Sequence, residues 1–157
     1  MITIEPVAIV RNARTVVEDD DWGAVESRIE LADWIPDAAL DGIEAFSHAE
    51  VLFHFDRLSN DDVVLGTRHP RGNTAWPKVG IFAQRGRNRP NRLGSTIAEV
   101  VGRDGRVLRV RGLDALDGTP VLDIKPVVRE FLPRTPVRQP EWVSELMREY
   151  WARTNRS

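Results

Sequence analysis

Apolar positions in this chain recur in short runs separated by turn residues, the pattern of a protein built mainly from strands. Ile2 to Val10 is rich in β-branched residues and broken by Pro6, as suits an edge or terminal strand. Ser27-Arg28-Ile29-Glu30-Leu31 alternates like a short strand, and Pro36 to Ile43 has room for one helical turn before Gly42 stops it. The run Val51-Leu52-Phe53, followed by Phe55, predicts a central buried strand. Residues 58 to 78 are polar and turn-rich and read as loop, and Val79 to Ala83 reads as a strand leaving it. Ser95 to Val101 and Arg106 to Arg111 flank Asp104-Gly105, a strong hairpin signal because a tight turn needs residues that tolerate positive φ. Val121 to Val127 is a further strand. Val143, Leu146, Met147, Tyr150 and Trp151 form a helical stripe over 140–151, with Pro140 at its start, and predict a helix packed on a core or a partner. Six or seven strands and one helix, without alternating βα units, predict a mainly antiparallel β-barrel or sandwich.

Charge changes this picture at one place. Between Phe82 and Ser95 the loop carries Arg85, Arg87, Arg89 and Arg92, four arginines in eight residues pinned between two apolar segments. Like charges this close repel, so a structural role calls for acids nearby, whereas a ligand carboxylate or phosphate supplies the compensation directly. Charge alone leaves both a solvated basic turn and an anion cradle open. The acidic run Glu18 to Asp21 is either a solvated loop or a rim facing the arginines, and Trp22 beside Gly23 reads as an exposed aromatic. Asp56-Arg57 suits a surface ion pair or a ligand contact. The same choice holds for Asp123 and Lys125, which share one face of their strand while Leu122 and Ile124 share the other.

Composition narrows the chemistry. At 157 residues, 41% of them hydrophobic, the chain predicts one domain with a single core. It has no cysteine, which removes disulfides, thiolate zinc sites and cysteine nucleophiles, and its three histidines lack ligand spacing, so no metal is expected. A net charge of −2 argues against whole-surface affinity for nucleic acid but permits a local basic patch. No window has the ~18 apolar residues of a membrane span, and a soluble protein is expected. Gly86 and Gly94 make neither a dinucleotide fingerprint nor a Walker A loop, and Ser95 lacks the glycines of a nucleophile elbow. The arginine loop, the two carboxylates Asp114 and Asp117, and the Asp123–Lys125 strand together suit a zwitterionic ligand.

The blocks Phe46-Ser47-His48, Gly80 to Arg85, Arg89-Pro90-Asn91-Arg92-Leu93-Gly94 and Gly112 to Pro126 resemble the TsaA/TrmO-like family, in order and spacing, over residues 2 to about 128. The resemblance implies a small β-barrel, a homodimeric S-adenosylmethionine-dependent methyltransferase whose best-understood members methylate N6 of threonylcarbamoyladenosine in tRNA; a cytoplasmic location is expected from the start of the chain and the lack of an apolar span. It implies a barrel domain over 1–130 and a C-terminal helical tail over 131–157, packed on the barrel or on a partner subunit. Cofactor contacts are implied for Arg85, Leu93, Gly94 and Ser95, for Ala115, Leu116, Asp117, Gly118 and Thr119, for Asp56 and Arg57, and for Trp22. Arg87, Arg89, Arg92 and Lys125 are left for the acceptor, tRNA or a nucleoside-like small molecule. The tRNA-modifying members usually have proline where this chain has Arg92 and Ser-Pro or similar where it has Gly86-Arg87, so substrate choice is expected to differ there. They also carry a further C-terminal segment that helps hold tRNA.

Methyl transfer asks the protein to hold the methyl carbon and its acceptor ~3–3.5 Å apart and in line. An amine acceptor must also lose a proton, which makes a nearby carboxylate useful. Asp114, Asp117 or Asp123 is expected in that role, with Asn91 orienting the acceptor. Two other readings remain: a cofactor-binding protein without catalysis, and a basic-loop nucleic-acid-binding module whose affinity falls steeply with salt.

Overall fold

A computed structural model describes residues 1–152; 153–157, the end of the expected tail, lie outside the described residues. The strands are β1 (Ala8–Arg11), β2 (Glu26–Leu31), β3 (His48–His54), β4 (Thr67–Arg68), β5 (Val79–Gly80), β6 (Leu93–Asp104), β7 (Val107–Arg111) and β8 (Pro120–Pro126). Six of them close a barrel in the order β1-β2-β7-β6-β3-β8, each neighbouring pair antiparallel. The expected β-barrel is therefore the fold.

Alternation fills its interior. Val10, Ile29, Val51, Phe53, Ala98, Leu108, Val110 and Val121 point inward and are buried, and with Leu113 and Ala115 from the β7–β8 connection they form one core. Phe53 is the largest of the fully buried side chains, and its burial contributes about 2–3 kcal/mol. Its ring lies so close to β6 that a Cβ on Gly94 would sit 2.5 Å from it, so only glycine fits there.

Three elements differ from expectation. The first strand is confined to Ala8–Arg11: Pro6 has no N–H for a ladder, and Ile2 and Ile4 are exposed, although Val7 still donates to the Val121 carbonyl at 2.8 Å. Val79 to Ala83 is not a barrel strand. Val79 and Gly80 pair with Arg68 and Thr67, inside the stretch read as loop, in a separate two-stranded sheet, and Ile81–Ala83 is a 3-10 turn. The helix α1 spans only Glu141–Leu146. Beyond it Arg148, Tyr150 and Ala152 donate to carbonyls three residues back, and the carbonyls of Glu149 and Tyr150 accept from the backbone of Asp21 and Trp22, which turns the chain out of a straight helix.

The directions of the strands decide where the loops lie. β1, β3 and β7 end, and β2, β6 and β8 begin, at the same rim, so the connections 12–25, 55–92 and 112–119 all gather there. The opposite rim has the short β6–β7 hairpin, the 32–47 connection and the exit from β8. From that exit the chain returns to the loop rim, where α1 and the residues after it dock. Among the described residues no helix is long and apolar enough to cross a membrane.

Candidate functional site

The arginine loop is built by its own polar groups. Gln84 donates from Nε2 to the carbonyls of Arg68 and Val79, both at 3.0 Å, which ties the loop to the β4–β5 sheet. Asn91 and Arg92 take φ of 62° and 51° and make a tight turn, whose Arg92 carbonyl accepts from Phe55 N–H at 2.9 Å. Asn88 donates to the Asp62 carbonyl at 3.0 Å. Arg85 donates to the Ser95 carbonyl at 2.6 Å, Arg89 to the Gln84 carbonyl at 2.7 Å, and Arg92 to the Leu58 carbonyl. Arg87 is half-buried, and its guanidinium has no hydrogen-bond or ion-pair partner among the described residues.

These bonds fix positions and leave the charge. Among the described residues, the ion pairs join Arg11, Arg14, Arg28, Arg71, Arg103, Arg109, Arg111 and Lys125 to carboxylates, and none involves Arg85, Arg87, Arg89 or Arg92. A carbonyl satisfies a donor without cancelling its charge. Among the described residues the four guanidiniums therefore carry positive charge at the loop rim with no carboxylate paired to it.

Acids there are used very differently from one another. Asp114, just past β7, lies against the first half of β6, where β6 pairs with β3 but extends beyond the end of β7. Its Oδ1 accepts from Thr96 Oγ1 at 2.5 Å and its Oδ2 from the Tyr150 hydroxyl. Burial, followed by the charge and hydrogen bond of Asp114, pushes the Tyr150 phenol far above its ordinary range, against a smaller opposing pull from Arg71 and Arg85. Arg85 thus stands within electrostatic reach of this cluster, and its partner Ser95 precedes Thr96 in the chain. Beside it, between the outer face of β6 and the tail, runs a cleft of about 530 Å³ lined in part by Ile97, Gly112, Met147 and Trp151.

Asp117 occupies a second cluster. Its Oδ1 accepts from Asn12 N–H at 3.1 Å, and Asn12 also donates to Ser27 Oγ and to the Ala115 carbonyl. Arg57 does not pair with Asp56, which is exposed; it reaches the carbonyls of Thr15 at 2.6 Å and Asp117 at 2.8 Å. Ala115 and Thr119 are buried, Leu116 is half-buried, and Gly118, with φ of 85°, donates to the Val10 carbonyl at 2.7 Å. The 115–119 segment is in this way fastened along the end of β1.

Asp123 and Lys125 lie apart from both clusters. Plain alternation from the buried Val121 would put them inside the barrel, but Val121 pairs with Phe53 and Asp123 with Leu52, so Leu122 is an extra residue in the ladder. The bulge turns Ile124 toward the core and leaves Asp123 and Lys125 paired at 2.8 Å on the outside. The hydrogen bond and charge of Asp123 raise the pKa of the exposed Lys125 ammonium.

One expectation about the acidic loop is corrected. Trp22 is 4% exposed, not a free aromatic: the Arg14 guanidinium covers its ring at 4.0 Å, and its N–H is bonded to the Tyr150 carbonyl. The acidic run, left open between a solvated loop and a rim facing the arginine loop, pairs with arginines outside that loop. Glu18 pairs with Arg14 at 2.9 Å and Asp20 with Arg71 at 3.0 Å. Thr96, Tyr150 and Arg71 were not among the candidate residues. Thr96 directly follows the predicted Ser95 and Tyr150 is the sole tyrosine, the two signals that could have drawn attention to them. Nothing in the sequence around Arg71 marks it. Among the described residues no group of three His, Asp or Glu side chains could hold a metal ion.

A family model described as the tRNA-methyltransferase O N-terminal domain matches residues 18–131. A protein of Archaeoglobus fulgidus named a probable S-adenosyl-L-methionine-binding protein is 46% identical over 87 residues, 55% of this chain and 22% of its own length. The tRNA (adenine(37)-N6)-methyltransferase of Mus musculus is 38% identical over 96 residues, 61% of this chain and 22% of its own. The chain thus spans about a fifth of either relative. The crystal structure of TrmO from P. aeruginosa superposes with a TM-score of 0.70 at 24% identity, over 98% of this chain and 77% of that one, and shares the fold.

Proposed function

The chain belongs to the family of tRNA-methyltransferase O N-terminal domains, and from that premise we propose that its loop rim binds S-adenosylmethionine and methylates an amine of a nucleoside acceptor, adenosine 37 of tRNA or a smaller relative of it. The observation that carries the reading is the juxtaposition at this rim of four arginines without a carboxylate partner and one carboxylate, Asp114, held by two hydroxyls. A zwitterion needs both. The donor set fits the cofactor: guanidinium N–H groups left over at Arg85 and Arg87 suit its carboxylate, and the remaining lone pairs of Asp114 suit a cationic or hydroxyl group. When bound, S-adenosylmethionine supplies an electrophilic methyl group.

The residues of this chain supply the rest. Arg85 and the Leu93-Gly94-Ser95 entry to β6 line the cofactor side, where Gly94 lets the backbone run against Phe53. Arg87, Arg89 and Arg92 face the acceptor, with Asn91 shaping their turn. Of the three aspartates considered as base, Asp114 is the one we assign: two hydroxyls hold its carboxylate in a fixed orientation, and each oxygen keeps a further lone pair for the proton that the amine loses. Asp117 accepts an N–H and Asp123 pairs with Lys125. The proposal includes a barrel domain over 1–130 with a tail over 131–157 packed on the barrel or on a partner subunit, a homodimer and a cytoplasmic location.

Titration calorimetry with S-adenosylmethionine tests the first half, and nucleoside mass spectrometry of bulk tRNA incubated with protein and cofactor tests the second. Heat without product would leave a cofactor-binding protein. Salt-sensitive RNA binding without cofactor heat would leave a basic-loop module, and either result defeats the methyltransferase reading.

A further inference from the structure

We propose that Tyr150 is a positioning residue, holding the Asp114 carboxylate from the C-terminal tail so that the site is complete only when the tail is docked. The proposal rests on the methyltransferase reading for what Asp114 does, but the geometry stands by itself. Asp114 lies within the 112–119 connection, outside the strand ladder, and the groups that hold its carboxylate are side chains. Thr96, on the stretch of β6 beyond the end of β7, holds Oδ1, and Tyr150 holds Oδ2.

Tyr150 is in turn fixed from three directions. Its carbonyl accepts from Trp22 N–H at 2.8 Å, and the preceding Glu149 carbonyl accepts from Asp21 N–H at 3.1 Å. Its ring meets Trp151 edge-on at 4.7 Å between centroids. One turn earlier, Glu145 Oε2 accepts from the Trp76 indole at 2.9 Å, so the tail is also latched to the long 55–92 connection. Arg71 and Arg85 are the charged groups that oppose Asp114 around the phenol. A side chain needed only for packing would not require a hydroxyl aimed at one oxygen of a carboxylate whose other oxygen is already held.

Because the chain has a single tyrosine, its phenolate absorbance reports this contact directly. In the intact protein we expect phenolate to appear only well above the pH at which free tyrosine ionises, with circular dichroism confirming the fold. In Asp114→Asn, which removes the opposing charge, it should appear at lower pH. Tyr150→Phe keeps the ring and removes the bond. It should keep S-adenosylmethionine affinity within about threefold by calorimetry yet lower turnover on bulk tRNA about tenfold, and the double variant should be no slower than Asp114→Asn alone. Parental turnover of Tyr150→Phe, or losses that multiply in the double variant, would overturn the proposal. If the parent itself modifies no tRNA, the reading of tRNA as its acceptor fails, and the tyrosine titration alone decides: an Asp114-dependent shift supports the contact, and an identical titration in both proteins refutes it.

Discussion

The two rims of the barrel use arginine in the same way and arrive at opposite results. At the hairpin rim, Arg103 donates to the Asp37 carbonyl at 2.7 Å and to the Asp41 carboxylate at 2.8 Å, while Arg106 reaches the carbonyls of Ala32 and Ile35, both at 2.7 Å. These bonds close the 32–47 connection over the barrel, and an acid cancels the charge of Arg103. At the loop rim Arg85, Arg89 and Arg92 also hold carbonyls, but no acid of the described residues answers them. Hydrogen bonding orders a guanidinium and a counter-charge neutralises it; Arg103 has both, whereas Arg85, Arg89 and Arg92 have only the first. Order with surplus charge is what a ligand site requires, and order without it is architecture.

Substitutions should divide along that line. The largest effect is expected at Asp114: Asp114→Asn should lower turnover about 100-fold or more, the scale of a lost general base, with cofactor heat still measurable by calorimetry. Next comes Arg85→Ala, which should weaken S-adenosylmethionine binding about tenfold, or ~1.4 kcal/mol, while leaving the melting temperature nearly unchanged. Arg103→Ala should behave in reverse. Losing its bonds to Asp37 and Asp41 should cost about 1–2 kcal/mol of stability, read as a drop of several degrees in melting temperature, with cofactor affinity intact. An Arg103→Ala that loses cofactor binding, or an Arg85→Ala that melts early, would erase the distinction between the rims.

The smallest effect concerns pH. Tyr150 has its folded pKa raised above the unfolded value, so the stability it lends to the docked tail is fully present below about pH 10, where unfolded tyrosine is still protonated. It is lost as pH rises from there toward the folded value. Amide protection in 141–152, measured against the intrinsic exchange rate, should therefore fall at alkaline pH before that of the barrel strands does.

Much of this was legible along the chain, for local reasons. The Asp104-Gly105 hairpin follows from turn chemistry, and inward Val51, Phe53, Leu108 and Val110 follow from period-two alternation. What escaped depended on partners distant in sequence. The bulge at Leu122 exists only in relation to Leu52 and Phe53, so alternation within β8 could not show that Asp123 and Lys125 end outside. The strand expected over 79–83 has the right residues, but its pairing is with Thr67 and Arg68 in a stretch rich in turn signals. The candidate site was marked by its charge and not by its allocation: four arginines singled out the loop, whereas our choice among Asp114, Asp117 and Asp123 came from contacts with Thr96, Tyr150, Asn12 and Lys125.

Three connections of the barrel, the longest among them, leave from one rim, and this has an evolutionary consequence. The six paired strands form a chassis whose registers do not depend on the lengths of 12–25, 55–92 or 112–119. Doubling such a connection adds only ~0.6 kcal/mol of closure entropy. Descendants of this scaffold can therefore change what the rim binds by rewriting loops that already meet, while the ladder beneath them is inherited intact.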